Sequence, residues 1–375
     1  MRILFAGGGT GGHFYPIIAV VQAINDIIQK EKILEAKIYF LSDAPYNKKV
    51  LFENGIIYKE IHAGKVRRYF SILNFLDAVK TGLGIIKALF TLYSIYPDVV
   101  FGKGGYASFP VLFAARILRI PIFIHESDSV PGRTNLWASK FAARIAVSHE
   151  EASAYFPKEK TAYTGHPIRK EILTPLSNGA YEYLKLNPNV PTMLILGGSQ
   201  GAMLINDTVL QALPELLKKY QIIHQAGAIH LETTLKLTGV ILKDNPYGER
   251  YRVFGYLNDL SIRMATGISK LIISRAGSTI FEIAAWGLPS IIIPITDSNG
   301  DHQRKNAFNY ARAGACTVIE ENNLTPHVLI SEVEKIMSDK GISDKMAKNA
   351  RAFYRPDAAE TIAKEIIRLA LQHEK

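Results

Sequence analysis

Arg2-Ile3-Leu4-Phe5-Ala6-Gly7-Gly8-Gly9-Thr10-Gly11-Gly12-His13 opens the chain with a short apolar run that ends in five glycines and a histidine. A strand that runs through glycines into a helix lets backbone N–H groups approach a phosphate or a sugar, and the helix N-terminus adds partial positive charge. A second unit of this kind, Thr192-Met193-Leu194-Ile195-Leu196 followed by Gly197-Gly198-Ser199-Gln200-Gly201, begins in the second half of the chain. Each loop opens its own half, which predicts paired α/β domains facing each other across a cleft.

Outward from these loops, apolar runs read as strands at 2–6, 37–41, 56–61, 98–101, 121–124 and 144–147, and again at 192–196, 221–225, 251–254, 271–274, 290–293 and 316–319. Helical segments fill the gaps, for example at 16–30, 204–219, 279–286 and 302–313. Strands alternating with helices indicate βαβ units and parallel sheets. The fold class is therefore α/β, two Rossmann-like doubly wound domains. The stretch 164–191, with its prolines, Asn178-Gly179 and Asn187-Pro188, is the predicted linker region.

The 375 residues are enough for two full cores, and 48% apolar with 21% charged residues excludes a disordered chain. Cys316 is the only cysteine, which rules out an intrachain disulfide or a cysteine-only metal site and fits a reducing cytoplasm. No signal peptide is expected, because a strand starts almost at Met1. The net charge of +10 asks for an anionic partner.

That charge is uneven: eight Lys/Arg against Asp77 and Asp98 fall between Lys65 and Arg119. In the same stretch Phe70, Leu73, Leu76, Val79, Leu83, Ile86, Phe90 and Tyr93 recur on one helical face. This reads either as a core helix with a solvated basic face or as a membrane-surface element. The apolar run 81–96 falls short of the roughly 18 residues that span a bilayer. Nucleic acid is not an expected partner, since no basic run is interleaved with stacking aromatics.

Strand C-termini are where an open α/β sheet places ligands. Gly7, Gly9 and Gly12 match G-x-G-x-x-G, so a nicotinamide-dependent oxidoreductase is one reading. Asp43 comes late for a ribose-binding acid, His13 is a base that such a loop does not need, and the second loop would have no task. Neither loop has the G-K-[ST] ending of a P-loop. A third loop, Ser274-Arg275-Ala276-Gly277-Ser278-Thr279, opens a helix and suits a diphosphate, while Glu282 one turn on could accept from ribose hydroxyls or simply complement the helix dipole. Asp301-His302-Gln303 places an amide near the same edge.

The set Gly8-Gly9-Thr10-Gly11-Gly12-His13, Gly104-Gly105-Tyr106, His125-Glu126, Gly165-His166-Pro167-Ile168-Arg169, Gly197-Gly198-Ser199-Gln200-Gly201-Ala202, Ser274-Arg275-Ala276-Gly277, Glu282-Ile283-Ala284-Ala285, Gly287-Leu288-Pro289 and His302-Gln303 resembles the MurG family. These are bacterial UDP-N-acetylglucosamine transferases that convert undecaprenyl-linked lipid I to lipid II. The motifs occur in order from residue 1 to about 360.

The resemblance implies the GT-B fold, with an acceptor-binding domain at 1–166 and a donor-binding domain at 167–355, and a C-terminal helix (356–372) crossing back. It implies that Arg169 and the Leu257 backbone meet uracil. Ser199, with Gln200, Arg275, Gly277, Ser278 and Thr279, meets the diphosphate region, Glu282 the ribose and Gln303 the sugar hydroxyls. Thr10, Gly11 and Gly12 close over the sugar, and Gly104, Gly105 and Tyr106 lie on the acceptor side. Lys65, Arg67 and Arg68 become a membrane-docking face on the cytoplasmic side of the bacterial membrane, with anionic lipid and other cell-wall synthesis proteins as partners.

Inverting transfer needs a general base for the acceptor hydroxyl, for which His13 is the candidate and Glu126 the alternative. No D-x-D pair occurs in the sequence, so no cofactor and no fixed metal are expected, and helix N-termini and hydroxyls carry the leaving UDP. Two features depart from the family. Its His-Glu-Gln-Asn is His125-Glu126-Ser127-Asp128 here, so Asp128 replaces an amide that touches the donor sugar. The segment 275–282 is one residue short, which leaves the separate roles of Ser278 and Thr279 open.

Overall fold

The computed structural model describes all residues except 9, 33–35, 65–71, 199–200 and 374–375. The chain divides into two compact units, Met1–Arg169 with Arg355–Lys375, and Lys170–Tyr354. Both crossings differ slightly from the sequence reading, because Pro167, Ile168, Arg169 and Arg355 all belong to the first unit.

In the first unit β1 (Arg2–Ala6), β2 (Lys37–Ser42), β3 (Ile56–Glu60), β4 (Val99–Gly102), β5 (Ile122–Glu126), β6 (Arg144–Val147) and β7 (Thr161–Tyr163) form one parallel sheet in the order β3-β2-β1-β4-β5-β6-β7. The reversal of order beside β1 puts the β1 and β4 loops at a topological switch point, where ligands bind. β7 is absent from the sequence reading: its Thr-Ala-Tyr is a partly exposed edge with no apolar run to announce it.

Helix Gly11–Glu31 covers one face of the sheet and packs with the C-terminal helix Ala358–His373, burying Phe14, Ile17, Ile24, Ile362 and Ile366 with Phe5 and Phe101. It starts five residues earlier than the predicted 16, so Gly11, Gly12 and His13 form its first turn. The Thr10 carbonyl accepts from both His13 N and Phe14 N at 3.0 Å. Pro16 near a helix start reads as a first residue, but here it sits inside and removes only the donor that Gly12 O would have used.

On the other face, helix Ile72–Ile95 buries Ala88, Leu92 and Ile95 against Leu4, Val100 and Val111. Its periodic stripe is not the core face. Leu76, Val79, Leu83, Ile86, Phe90 and Tyr93 are exposed, the last two by 73%. The inward side begins with small residues, Gly84 and Ala88: a Cβ on Gly84 would lie 1.8 Å from His62 O, so only glycine permits the approach. The apolar window Leu76–Ile95 spans 20 residues at mean hydropathy 1.3, longer than 81–96 and sufficient by length and composition to cross a membrane.

The second unit repeats the design with β8 (Thr192–Leu196), β9 (Gln221–Gln225), β10 (Tyr251–Phe254), β11 (Ser269–Ser274), β12 (Ser290–Ile292) and β13 (Cys316–Val318), all parallel, in the order β10-β9-β8-β11-β12-β13. Its core packs helices Met203–Lys219 and Pro326–Ser338 on Ile195, Ile222, Ile273 and Ile291.

Candidate active site

In each unit the predicted residues collect at the C-terminal ends of the parallel strands. In the first unit β1 ends at Ala6, and the chain passes Gly7 and enters its helix through Thr10, whose Oγ1 is 2.8 Å from His13 Nδ1. β4 ends at Gly102, and Gly104 and Gly105 follow with φ of 85° and 80°, backbone that only glycine adopts cheaply. A Cβ on Gly105 would lie 3.5 Å from both Gly8 Cα and His13 Nε2, so two glycine turns pack around the imidazole. At the end of β2, Ser42 Oγ donates to Gly7 O at 2.8 Å, and Asp43 accepts from the Tyr106 hydroxyl. Burial and this carboxylate push the Tyr106 phenol well up.

Glu126, at the end of β5, has a different task from the one its sequence suggests. Its Oε1 accepts from Asp128 N (3.0 Å), and its Oε2 from Gly132 N (3.0 Å) and Asn135 Nδ2 (2.9 Å). The buried carboxylate therefore closes the turn that presents Asp128, and burial followed by the Asp128 charge raises its pKa. Beneath this turn lie groups the sequence reading left out: Lys103, whose Nζ donates to Ser127 Oγ, and Ser148 Oγ, 3.1 Å from His125 Nε2 and 3.0 Å from His166 Nδ1. Burial drives His125 and His166 well below the ordinary histidine range and His149 to about 4. The available signal was Lys103 itself, a lysine directly after the apolar strand Val99–Gly102.

Arg169 also departs from expectation. It lies in the first unit, with its guanidinium 3.9 Å above the Tyr15 ring, whereas Leu257 is in the second. Stacking on the helix that carries His13 decides which unit this buried residue joins.

In the second unit β8 runs into Gly197 and Gly198, and helix Met203–Lys219 follows; Ser199 and Gln200 lie outside the described residues. Gly201 has φ 78°, and a Cβ there would come 2.3 Å from Ala226 O. Gln225, at the end of β9, ties the predicted Leu257 contact to the second glycine loop: its Oε1 accepts from Leu257 N at 3.0 Å and its Nε2 donates to Gly198 O at 3.3 Å.

Gly277, Ser278 and the first turn of helix Thr279–Trp286 follow β11, with Glu282 partly buried in that turn. The first amides of such a helix have no helical acceptor. Arg275 does not point its charge at an open site. It pairs with Glu321 at 2.6 Å, both only 13% and 16% exposed, and donates to Ile293 O at 3.1 Å. It pins the loop, as does Asn306 Nδ2 on Ala276 O at 3.1 Å. Gln303 Oε1 accepts from Ile295 N at 3.2 Å, which leaves its amide donors for a ligand. Lys65, Arg67 and Arg68 lie outside the described residues.

Two Rossmann-like units, each with glycine loops and a helix start at its strand ends, define an α/β class whose strand-end loops suit a nucleotide ligand. Among solved structures the chain is similar to the UDP-GlcNAc 2-epimerase of Neisseria meningitidis bound to UDP-GlcNAc (16% identity, TM-score 0.68, covering 98% of this chain and 100% of that one), which shows the fold alone. It is also similar to Acinetobacter baumannii MurG (26% identity, TM-score 0.71, 98% and 99% covered).

The glycosyltransferase family 28 N-terminal domain matches residues 3–147, and the family's C-terminal domain matches 192–362. A Bacillus cereus relative named UDP-N-acetylglucosamine–N-acetylmuramyl-(pentapeptide) pyrophosphoryl-undecaprenol N-acetylglucosamine transferase 2 is 36% identical over 99% of this chain and 98% of its own. A Pediococcus pentosaceus transferase with the same name, lacking only the final numeral, is 34% identical over 96% and 98%. The chain belongs to glycosyltransferase family 28, among its MurG members. That membership displaces the oxidoreductase reading.

Proposed function

We propose that this chain moves N-acetylglucosamine from UDP-N-acetylglucosamine to the C4 hydroxyl of the N-acetylmuramyl unit of lipid I, with inversion, to give lipid II for peptidoglycan. The single observation that carries the reading is end-to-end identity with transferases of that name.

The first unit takes the acceptor and His13 is the base. With Nδ1–H donating to Thr10 Oγ1, the Nε2 lone pair lies beside the bare Gly105 backbone, where the absent side chain leaves room for a sugar hydroxyl. Thr10, Gly11 and Gly12, where the same helix opens, close over the sugar, and Tyr106 borders the acceptor side.

The second unit takes UDP: the Leu257 amide lies at the base, Glu282 at the ribose and Gln303 at the sugar. The diphosphate charge is met by amides of the 197–201 loop and by the helix start at Ser278 and Thr279, with no metal required. The sequence supports this by carrying no D-x-D pair.

The protein works peripherally on the cytoplasmic face of the membrane. The exposed stripe from Leu76 to Tyr93, preceded in sequence by the basic residues Lys65, Arg67 and Arg68, suits insertion among anionic headgroups. Spanning is disfavoured, because Ala88, Leu92 and Ile95 on the opposite side belong to the core of the unit. Other cell-wall synthesis proteins are the expected neighbours there.

The test is an in vitro transfer assay with a lipid I analogue and several UDP-sugars. The reading expects transfer from UDP-N-acetylglucosamine in preference to other donors, and transfer only to a different acceptor sinks it.

A further inference from the structure

Lys103 is 2% exposed, the only lysine among the largest fully buried side chains of the described residues. A buried ammonium is costly unless charges and hydrogen bonds compensate it. Here they come from one place. Nζ donates to Ser127 Oγ, and the carboxylates of Glu126 and Asp128 favour its charged form. Ser127 stands between those two acids, so the lysine grips the middle of the turn after β5.

The other groups facing Lys103 are His125, on β5, and His166, after β7, both held neutral by burial and by its charge. The lysine stem passes under the first glycine loop, where a Cβ on Gly7 would lie 3.5 Å from Lys103 Cβ. Glu126 spends both oxygens on closing the turn. Asp128 is the partly exposed acid of the pair.

We propose that Lys103 is a positioning residue for the donor sugar: its buried ammonium, held on Ser127, fixes the 126–128 turn and so the direction in which Asp128 presents its oxygens to sugar hydroxyls. This rests on the glycosyltransferase reading above. A purely structural lysine would lower the amount of active protein without distinguishing UDP from UDP-sugar. A positioning lysine changes only what involves the sugar.

The experiment measures kcat, KM for UDP-N-acetylglucosamine and Ki for UDP in wild type, Lys103→Met, Asp128→Asn and the double variant. Lys103→Met should raise KM about 10-fold, as expected when one charge-assisted hydrogen bond to the sugar is weakened, with kcat within about 3-fold and the UDP Ki unchanged. In the double variant the two effects should fall well short of multiplying, because both break one contact chain. In wild type, KM should rise with pH above about 8, where the lysine loses its proton, and the Lys103→Met profile should be flat.

An unchanged KM, an equal loss of UDP affinity, or fully multiplicative effects overturns the proposal. Should Lys103→Met fail to fold, the wild-type profile decides alone, and a KM flat between about pH 7 and 9.5 overturns it. Absence of any transfer by wild type would instead indict the assigned activity.

Discussion

Acid should unfold the first unit before the second. The perturbation is a pH change from 7.5 to 5, and it acts on histidines that the fold holds neutral. Burial keeps His149 at about 4 and His224 at about 3, against 6.5 when unfolded. Their folded pKa lies below the unfolded one, so the unfolded chain gains protons first. Stability is complete above 6.5 and is lost as pH falls through that value toward 4 and 3.

At pH 5 an unfolded histidine is protonated with a gain of about 2 kcal/mol that the buried form forgoes. His125 and His166 are shifted in the same direction and lie, with His149, in the first unit; His224, bonded to Tyr251 and Asn206, lies in the second. Glu126 opposes the trend, since its raised carboxyl takes a proton more readily when folded. Glu321 and Glu365, both lowered, act only below the ordinary carboxyl range. Against a domain stability of roughly 5–15 kcal/mol, each such histidine costs the melting temperature of its unit roughly 4–8 °C.

The two tryptophans report on one unit each. Trp137 stacks on Phe113, and Trp286 Nε1 donates to Ile172 O. Trp286→Phe leaves Trp137 to follow the first unit, and Trp137→Phe leaves Trp286 to follow the second. Thermal melts by fluorescence at pH 7.5, 6 and 5 should show the Trp137 transition falling more steeply. An equal or steeper fall of the Trp286 transition refutes the reasoning.

Three further outcomes are expected. His13→Ala should lower kcat about 100-fold or more with UDP affinity retained, read by turnover and by calorimetry; near-normal turnover removes His13 as the base. Gly201→Ala, which forces a Cβ to 2.3 Å from Ala226 O in backbone of φ 78°, should weaken UDP binding while leaving the first unit's melt unchanged; undiminished UDP affinity shows that the loop can move aside. Flotation with anionic liposomes should fall when Leu83, Ile86 and Phe90 are changed to Ser, and again when Lys65, Arg67 and Arg68 are changed to Glu. Unaltered flotation in both sets refutes the membrane face.

Much of the architecture was legible from period and punctuation. Strands such as Ile3–Ala6 and Met193–Leu196 are buried on both faces of a parallel sheet, so their apolar runs and terminal glycines announce them. β7 was not legible, because three half-exposed residues carry no pattern. The stripe from Leu76 to Tyr93 carries a clear helical period, yet period reports a face and not what covers it. Glycine at 84 lets the other side approach His62, which leaves the stripe outward.

By itself the sequence determined the two glycine loops, their strands and the residues at the strand ends, since chain direction and parallel pairing carry those residues to one edge. Which of them keep their functional groups for a ligand was decided only in three dimensions. Arg275 and Glu126 read as ligand-facing charges, but Glu321 and three turn donors claim them. Lys103 was only one of the eight Lys/Arg counted between Lys65 and Arg119, and packing under the first loop made it a buried charge tied to Ser127. The first glycine loop, which looked like a phosphate cradle, became the opening turn of a helix around His13. The physical reason is common to the three charged groups: a buried polar group must find a partner, and only the folded chain decides which partner it meets.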